Sequence, residues 1–193
     1  CETALWAFKN GFSHVTHLYS ATPSVRKIDQ TVRAGVIEAA YLDDSVTVEL
    51  IADGMHLPLE LLQMVYKLKG ADRIALITDA MRGAGLPDGS RSVLGSKKNG
   101  QTVYIDRGVA WLPDGQAFAG SVATTDRLVR TVHCLAGIPL PDAVKMASET
   151  PARLIGCRSK GTLEVGKDAD IVIFNENIEM QKVLVRGREV YSV

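Results

Sequence analysis

The sequence predicts an α/β fold, the second half of a (β/α)8 TIM-type barrel followed by C-terminal strands of a small β-sandwich domain. Apolar, β-branched runs at residues 45–54 and 73–80 alternate with helical segments, which predicts a parallel sheet. Such a sheet could be doubly wound or closed into a barrel, and both architectures carry functional side chains at the carboxyl ends of their strands. Several successive strands that each end in a polar residue favour the barrel. About four strands precede the β-rich tail, roughly half of a complete barrel.

The first 80 residues alternate helix and strand. The predicted order is helix 2–10, strand 12–18, helix 24–42, strand 45–54, helix 58–70 and strand 73–80. Helix 24–42 is expected because Ile28, Val32 and Val36 form one apolar stripe at helical spacing. Helix 58–70 is expected because Pro58 lies in its first turn and Gly70 follows its last.

Residues 83–120 are punctuated by glycine, proline and aspartate, which predicts a long loop. Two short runs within it, QTVYI and GVAWL, predict a single hairpin. A helix at 124–136 should follow, with Leu128, Val132 and Leu135 on one face.

The last part of the chain changes from helical to two-residue periodicity. A helix at 141–149 precedes a short final helix, for which Thr150 is the expected cap and Pro151 the first residue. Short strands joined by tight turns come next, with Arg186-Gly187 as a two-residue hairpin turn. We therefore expect two domains, a half-barrel at residues 1–157 and sandwich strands at residues 158–193.

Composition excludes several classes of partner. The 22 basic and 22 acidic residues cancel, so no overall field favours nucleic acid or a membrane surface. No apolar run reaches the length of a membrane span. Cys1, Cys134 and Cys157 show no metal-site spacing, which predicts reduced thiols in a cytoplasmic protein. Because the first residue is not Met, we expect the chain to be a piece of a longer protein.

Three predicted strand ends carry polar residues suited to catalysis. At the third, the carboxylate of Asp79 can accept the proton of a metal-activated water and return it to a leaving group; the alternative is a helix N-cap. At the first, residues three apart on a strand point to opposite faces, so His14 and His17 cannot ligate one metal together unless the strand has ended. His17 lies nearer the strand end and is the better candidate. The alternative there is a pair of hydrogen-bonded polar side chains. At the second, Asp53 and His56 offer a metal or substrate contact, or else an Asx turn with an exposed histidine.

Other polar features carry less information. Arg26 and Lys27, at the predicted start of helix 24–42, could bind phosphate through their charge and the helix N-terminal amides, or form a solvated face. His133 lies in mid-helix and is expected to be structural. No glycine-rich nucleotide loop and no GxSxG motif are present.

A set of motifs in a fixed order resembles one known family. The motifs are THLYSAT (16–22), ADGMH (52–56), LITDAM (76–81), FAGS (118–121), MASETPARLIG (146–156) and KGTLEVGKDADIVIF (160–174). Over nearly the whole chain, this order is similar to the C-terminal half of the N-acetylglucosamine-6-phosphate deacetylases of the amidohydrolase superfamily. Ser20 and Thr22 depart from the Asn and Met of that family, so sugar or phosphate contacts are expected to differ.

The resemblance implies metal-assisted hydrolysis of the acetamide of N-acetylglucosamine 6-phosphate to glucosamine 6-phosphate and acetate. It implies a catalytic Asp79 and a metal-ligand His17. It implies substrate contacts from Ser20, Ala21, Arg26, His56, Phe118, Ala119 and Gly120, with Lys27 competing with Arg26 for the phosphate. It further implies a divalent metal, zinc or iron, whose remaining ligands lie upstream of Cys1, and a homodimer when the protein is full length.

Two alternatives to this function stay open. The departures at Ser20 and Thr22 leave room for another amidohydrolase, acting on a cyclic amide or a different N-acyl compound. The chain could also be a non-catalytic fragment, and we expect residues 1–193 in isolation to be inactive.

Overall fold

A computed structural model describes all 193 residues of the chain. The helices are α1 (Glu2–Lys9), α2 (Val36–Leu42), α3 (Leu59–Lys69), α4 (Thr125–Arg130), α5 (Leu140–Ala147) and α6 (Glu149–Leu154), with a 3-10 turn at Ala71–Arg73 and a π-helical turn at Thr131–Leu135. The strands are β1 (His14–Val15), β2 (Arg26–Ile28), β3 (Thr31–Arg33), β4 (Thr47–Ile51), β5 (Ile74–Ile77), β6 (Arg91–Leu94), β7 (Gln101–Asp106), β8 (Val109–Trp111), β9 (Phe118–Ser121), β10 (Ile171–Phe174), β11 (Met180–Val185) and β12 (Arg188–Ser192). No helix is long and apolar enough to cross a bilayer.

A parallel sheet in the order β1-β4-β5 forms the centre of the molecule. One face of this sheet packs against the helices. Alternate strand residues point to opposite sides, so only every second residue lies on that face. Val48, Leu50 and Ile74 lie on that face and belong to the main hydrophobic core, together with Leu62 of α3 and Met146 of α5. The expected α/β fold with parallel strands is therefore confirmed.

The predicted helix at 24–42 is wrong over its first half. Residues 26–33 form the β2–β3 hairpin instead, and its turn residues Asp29 and Gln30 have φ of 48° and 61°. Two positive φ values characterise the tight hairpin turns that match strand twist. Ile28 and Val32, assigned to a buried stripe, are 41% and 61% exposed. The helix begins only at Val36, where the Glu38 carboxylate accepts the N–H of Gly35 at 2.6 Å.

Residues 91–121 form more regular structure than the predicted loop with one hairpin. The QTVYI and GVAWL strands are confirmed, but β6 and β9 flank them in a four-stranded antiparallel sheet. This sheet has its own small core, formed by Val103, Ile105, Ala110, Ala119 and Val122. The FAGS motif is therefore the last strand of a sheet and not a free loop.

The helices near residue 130 differ from expectation in their geometry. Leu128 and Val132 are buried as predicted, but Leu135 is 61% exposed. The π-helical turn widens the helix and so rotates Leu135 away from the stripe that 3.6-residue spacing predicts. The final helix spans Glu149–Leu154, so Thr150 lies within it and is not its cap. The buried Thr150 hydroxyl donates instead to the carbonyl of Ala71 at 2.8 Å.

The C-terminal tail is a three-stranded antiparallel sheet in the order β10-β11-β12. The predicted Arg186-Gly187 turn is confirmed, and both of its residues have positive φ. A strand was also predicted in the run before Ile171, which starts at Gly161, but this run is irregular. Ile178 is buried in the main core, and the Arg130 guanidinium donates to its carbonyl at 2.7 Å, which ties this sheet to α4.

A buried lysine holds the end of α2. Lys69, at the end of α3, is 1% exposed, and its ammonium donates to the carbonyls of Ala40 and Asp43 at 2.8 and 2.9 Å. Lys69→Met removes both bonds: the Ala40 carbonyl loses this buried donor, whereas the Asp43 carbonyl keeps the N–H of Val46 at 3.2 Å. We therefore expect the substitution to lower the free energy of unfolding by about 1–3 kcal/mol. Lys67→Met, at an exposed position of the same helix, is the matched control. Equal urea midpoints for the two variants would contradict this role.

Candidate active site

The carboxyl ends of neighbouring parallel strands place the predicted catalytic residues along one edge. His17 follows β1, Asp53 follows β4 and Asp79 follows β5. Beyond Asp79, the chain makes a parallel bridge with β9: Met81 N–H donates to the carbonyl of Ser121 at 2.9 Å, and Ser121 N–H donates to the carbonyl of Asp79 at 3.2 Å. The FAGS strand therefore lies directly beside the Asp79 turn.

His17 is held with one ring nitrogen free. Its Nδ1 lies 2.8 Å from the carbonyl oxygen of Ser20, which can only accept a hydrogen bond, so Nδ1 carries the hydrogen. In the neutral imidazole, the lone pair is then on Nε2. Fixing one ring nitrogen by a carbonyl is the arrangement that orients metal-ligand histidines. His17 thus suits one position of a metal site.

Asp53 and His56 form a tightly bonded turn. Asp53 is 1% exposed; its Oδ1 accepts the N–H groups of Met55 and His56 at 2.9 Å, and its Oδ2 lies 2.8 Å from Nδ1 of His56. The Asx-type turn is therefore present, but the histidine side chain is only 10% exposed, contrary to the expectation that accompanied the turn. Nε2 is the ring atom left for a ligand.

The Asp53 turn should make stability depend on pH. Burial opposes its ionisation, but hydrogen bonds from His56 and Met55 outweigh burial and hold the pKa of Asp53 below its ordinary 3.8. The unfolded chain therefore binds more protons in acid, so this contribution is complete above pH 3.8 and is lost as the pH falls through the folded-state value. Between about pH 5.5 and pH 3, the urea midpoint should fall less in Asp53→Asn than in the unmodified chain.

The control for this measurement is Asp114→Asn, which changes an exposed carboxylate in a turn of the β8–β9 connection. Equal losses of midpoint on acidification in the unmodified chain and in Asp53→Asn would show that the Asp53 turn does not contribute to acid sensitivity.

Asp79 lies in a turn that leaves its carboxylate open. Its side chain is exposed and makes no hydrogen bond or ion pair within the chain, and its φ is 45°. Gly120 sits against it with φ 93°, and a Cβ there would lie 3.4 Å from Met81 Cβ and 3.5 Å from the carbonyl oxygen of Asp79. These are ordinary contact distances, so glycine is favoured at this position by its positive φ and not by lack of space. The predicted alternative, a helix N-cap, is not realised because no helix follows Asp79.

Backbone strain is concentrated at these strand ends. Of the nine non-glycine residues with positive φ, four are His17, Tyr19, Ala21 and Asp79. Such conformations cost free energy for residues with a Cβ and cluster at functional sites. The backbone strain and the sequence motifs therefore indicate the same two functional segments, the turn after β1 and the turn after β5.

The predicted substrate residues differ in their surroundings. Phe118 packs against His56, with ring centroids 4.9 Å apart, and against Trp111 at 4.7 Å. Ser20 and Ala21 form the turn that follows His17. Ala119 is only 3% exposed and belongs to the core of the four-stranded sheet, so its side chain is turned away from solvent.

Arg26 and Lys27 lie on the exposed β2–β3 hairpin. The expectation that helix N-terminal amides assist them in binding phosphate is wrong, because no helix begins there. The charge of either side chain remains available for a phosphate.

Glu49 is a polar residue of this region that the sequence analysis missed. It lies within the apolar strand β4, and its carboxylate contacts Thr16 Oγ1 at 2.7 Å and His14 Nε2 at 3.0 Å. Burial opposes ionisation, but the hydrogen bonds from Thr16 and His14 hold the pKa of Glu49 below its ordinary range. An acidic residue inside the run TVELI was the available signal. His14 is confirmed as a hydrogen-bonded residue, since its Nδ1 also lies 2.7 Å from Thr47 Oγ1.

No group of three or more His, Cys, Asp or Glu side chains in the chain is arranged to hold a metal ion. A catalytic zinc usually takes three protein ligands. His17 has the donor chemistry and orientation of one such ligand, so the residues present fit one part of a metal site.

The amidohydrolase family model matches residues 2–190, and the chain belongs to this family. The chain is 37% identical to N-acetylglucosamine-6-phosphate deacetylase of Lysinibacillus sphaericus, over 94% of this chain and 44% of that protein. It is 31% identical to N-acetylgalactosamine-6-phosphate deacetylase of Escherichia coli O157:H7, over 94% of this chain and 46% of that protein.

A solved structure shows the same similarity in three dimensions. An N-acetyl-D-glucosamine-6-phosphate deacetylase mutant of Mycobacterium smegmatis, in complex with N-acetyl-D-glucosamine 6-phosphate, matches with a TM-score of 0.86 and 31% identity. The match covers 99% of this chain and 49% of that chain. The resemblance inferred from the motifs is therefore confirmed, and the chain spans about half the length of the relatives it matches.

Proposed function

We propose that the chain is part of an enzyme that hydrolyses the acetamide of N-acetylglucosamine 6-phosphate to glucosamine 6-phosphate and acetate in amino-sugar catabolism. The observation that carries the proposal is the open carboxylate of Asp79, beside the FAGS strand and on the same sheet edge as His17. Similarity to deacetylases over nearly the whole chain supports it.

The proposed architecture follows from the same similarity. Residues 1–157 would supply half of a (β/α)8 barrel, and residues 158–193 would supply strands of a composite β-sandwich. The parallel order β1-β4-β5, extended by the Ala80–Ser121 bridge, supports the half-barrel, because it places four neighbouring chain segments in parallel. Exposed apolar residues on the tail sheet, such as Val172 and Val190, support a further sheet packing against it.

A divalent metal, zinc or iron, would supply Lewis-acid activation of water and carbonyl when bound. His17 would hold it through Nε2, and the remaining ligands would come from a segment outside residues 1–193. No three potential ligand side chains lie together within the chain, and a metal site completed by another segment agrees with that arrangement.

Asp79 would act as both base and acid. Its carboxylate accepts a proton from the water that attacks the amide carbonyl, so that a C–O bond forms. As the C–N bond of the resulting tetrahedral species breaks, the Asp79 carboxyl returns the proton to the departing amine nitrogen. His56, oriented by Asp53, contacts a substrate oxygen through Nε2.

The remaining predicted residues would bind the sugar phosphate. Ser20 and Ala21 follow the metal ligand, the Phe118–Gly120 segment borders His56 and Asp79, and Arg26 or Lys27 would contact the phosphate. The homodimer, and the cytoplasmic location suggested by three free cysteines, stay predictions.

Four kinds of substrate separate this proposal from its alternatives: the phosphorylated sugar, the unphosphorylated sugar, the galactosamine epimer and a cyclic amide. They are to be compared on the longer protein, by which we mean residues 1–193 together with the segment that completes the metal site. With metal present, the longer protein should release acetate fastest from N-acetylglucosamine 6-phosphate and far more slowly from N-acetylglucosamine. Equal rates of acetate release from the two compounds would contradict the proposal that the phosphate is recognised.

A preference for the galactosamine epimer would instead favour the activity named for the relative of Escherichia coli O157:H7. Hydrolysis of a cyclic amide without acetate release would favour another amidohydrolase reaction. No hydrolysis of any of these compounds by the metal-loaded longer protein would favour a non-catalytic chain.

A further inference from the structure

We propose that Glu49 is a positioning residue that fixes the turn presenting His17 to the metal. This inference rests on the proposed function, in which His17 is a ligand. Glu49 lies on β4, the strand next to β1, and its side chain points toward the same face as His14 and Thr16. This face is the one opposite the helices.

A single carboxylate contacts three residues in and after β1: His14, Thr16 and His17. Its Oε2 accepts the hydroxyl of Thr16 at 2.7 Å and lies 3.4 Å from the backbone nitrogen of His17. Its Oε1 lies 3.0 Å from Nε2 of His14. The Glu49 carbonyl also accepts the N–H of Leu18 at 2.9 Å. The segment that carries the ligand is thus anchored to β4 on both sides of His17.

The turn needs such anchoring because its backbone is strained. His17, Tyr19 and Ala21 have φ of 30°, 74° and 56°, in the region that residues with a Cβ rarely adopt. Strained conformations persist only where the surroundings determine them. The Ser20 carbonyl that fixes the His17 ring lies within this same turn, so relaxing the turn also releases the ring.

The contacts separate the role of the side chain from that of the backbone. In Glu49→Ala the carbonyl bond to Leu18 is retained, whereas the contacts to His14, Thr16 and the His17 nitrogen are lost. In Glu49→Gln, the amide oxygen can still accept from Thr16 and the His17 N–H, and the amide nitrogen can donate to His14. The conservative variant should therefore retain the turn.

The test measures zinc affinity of the longer protein by competition with a chelator, and the His17 ring tautomer in the metal-free protein by nitrogen NMR. Glu49→Ala should weaken zinc binding about 10–100-fold and lose the fixed Nδ1–H tautomer. Glu49→Gln should remain near the unmodified protein in both. Asp126→Ala is the matched control, since Asp126 is also a half-buried carboxylate, bonded to Thr124 and Arg130, but on α4.

A folded Glu49→Ala protein with unchanged zinc affinity and tautomer overturns the proposal. If Glu49→Ala does not fold, Thr16→Val is the deciding variant, because it removes one donor to the carboxylate at nearly constant volume. It should weaken zinc binding by a smaller factor than Glu49→Ala. Unchanged zinc affinity in Thr16→Val overturns the proposal. His17→Ala distinguishes the two levels of inference. Retained zinc in His17→Ala overturns His17 as a ligand and this inference with it, whereas loss of zinc there but not in Glu49→Ala overturns only the role of Glu49.

Discussion

Asp79→Asn is expected to lower the turnover of the longer protein by about 10²–10⁴-fold, the usual contribution of a positioned general acid–base group. Asparagine has nearly the same shape but cannot accept the proton of the attacking water or return it to the amine. Because Asp79 is exposed and makes no side-chain hydrogen bond within the chain, the change should leave the free energy of unfolding unaltered. Acetate release under saturating substrate measures the effect, and urea unfolding checks stability.

Asp114→Asn is the control for this substitution, because it replaces another exposed carboxylate that lies in a turn. Near-normal turnover in Asp79→Asn would show that a different group moves the proton, and the role assigned to Asp79 would be wrong.

His17→Ala should remove stoichiometric metal from the longer protein and, with it, deacetylation. The imidazole is held by the Ser20 carbonyl so that Nε2 can donate its lone pair, and alanine offers no replacement. Metal content after gel filtration and acetate release are the two measurements. His133→Ala is the matched control: that ring also bonds a backbone carbonyl, that of Ile138, but it lies on the π-helical turn.

If His17→Ala kept one metal per chain and full activity, the first strand end would not belong to the metal site. If it kept the metal but lost activity, His17 would act on the substrate instead of the metal, and the ligand assignment would be wrong.

Strands β4 and β5 could be predicted because each lies in a mostly apolar run bounded by turn residues. Strand β1 has only two residues, so the strand predicted at 12–18 is much shorter than expected. The β2–β3 hairpin could not be predicted, since Ile28, Val32 and Val36 repeat at a spacing that also suits a helix. Its turn, Asp29-Gln30, lacks the glycine that usually marks such hairpins. The four-stranded sheet was missed at its edges for a related reason: FAGS is too short and too rich in small residues to indicate a strand by itself.

The candidate site was predictable where a polar residue directly ends an apolar strand, as for Asp79. Glu49 was not, because its role depends on which strand pairs with β1 and in what register. The pairing of His14 with Thr47 places Glu49 beside the end of β1, and no local pattern encodes that pairing. The surroundings of Arg26 were predicted incorrectly because the helix expected from residue 24 begins only at Val36, ten residues after Arg26.

The central claim is that residues 1–193 supply one part of a divided metal site in a deacetylase. The direct test measures metal content and acetate release for residues 1–193 and for the longer protein side by side. We expect residues 1–193 to retain no stoichiometric metal and to release no acetate from N-acetylglucosamine 6-phosphate. The longer protein should retain the metal and release acetate. Tight, stoichiometric metal and turnover in residues 1–193 alone would contradict the claim, and so would a longer protein that holds no metal.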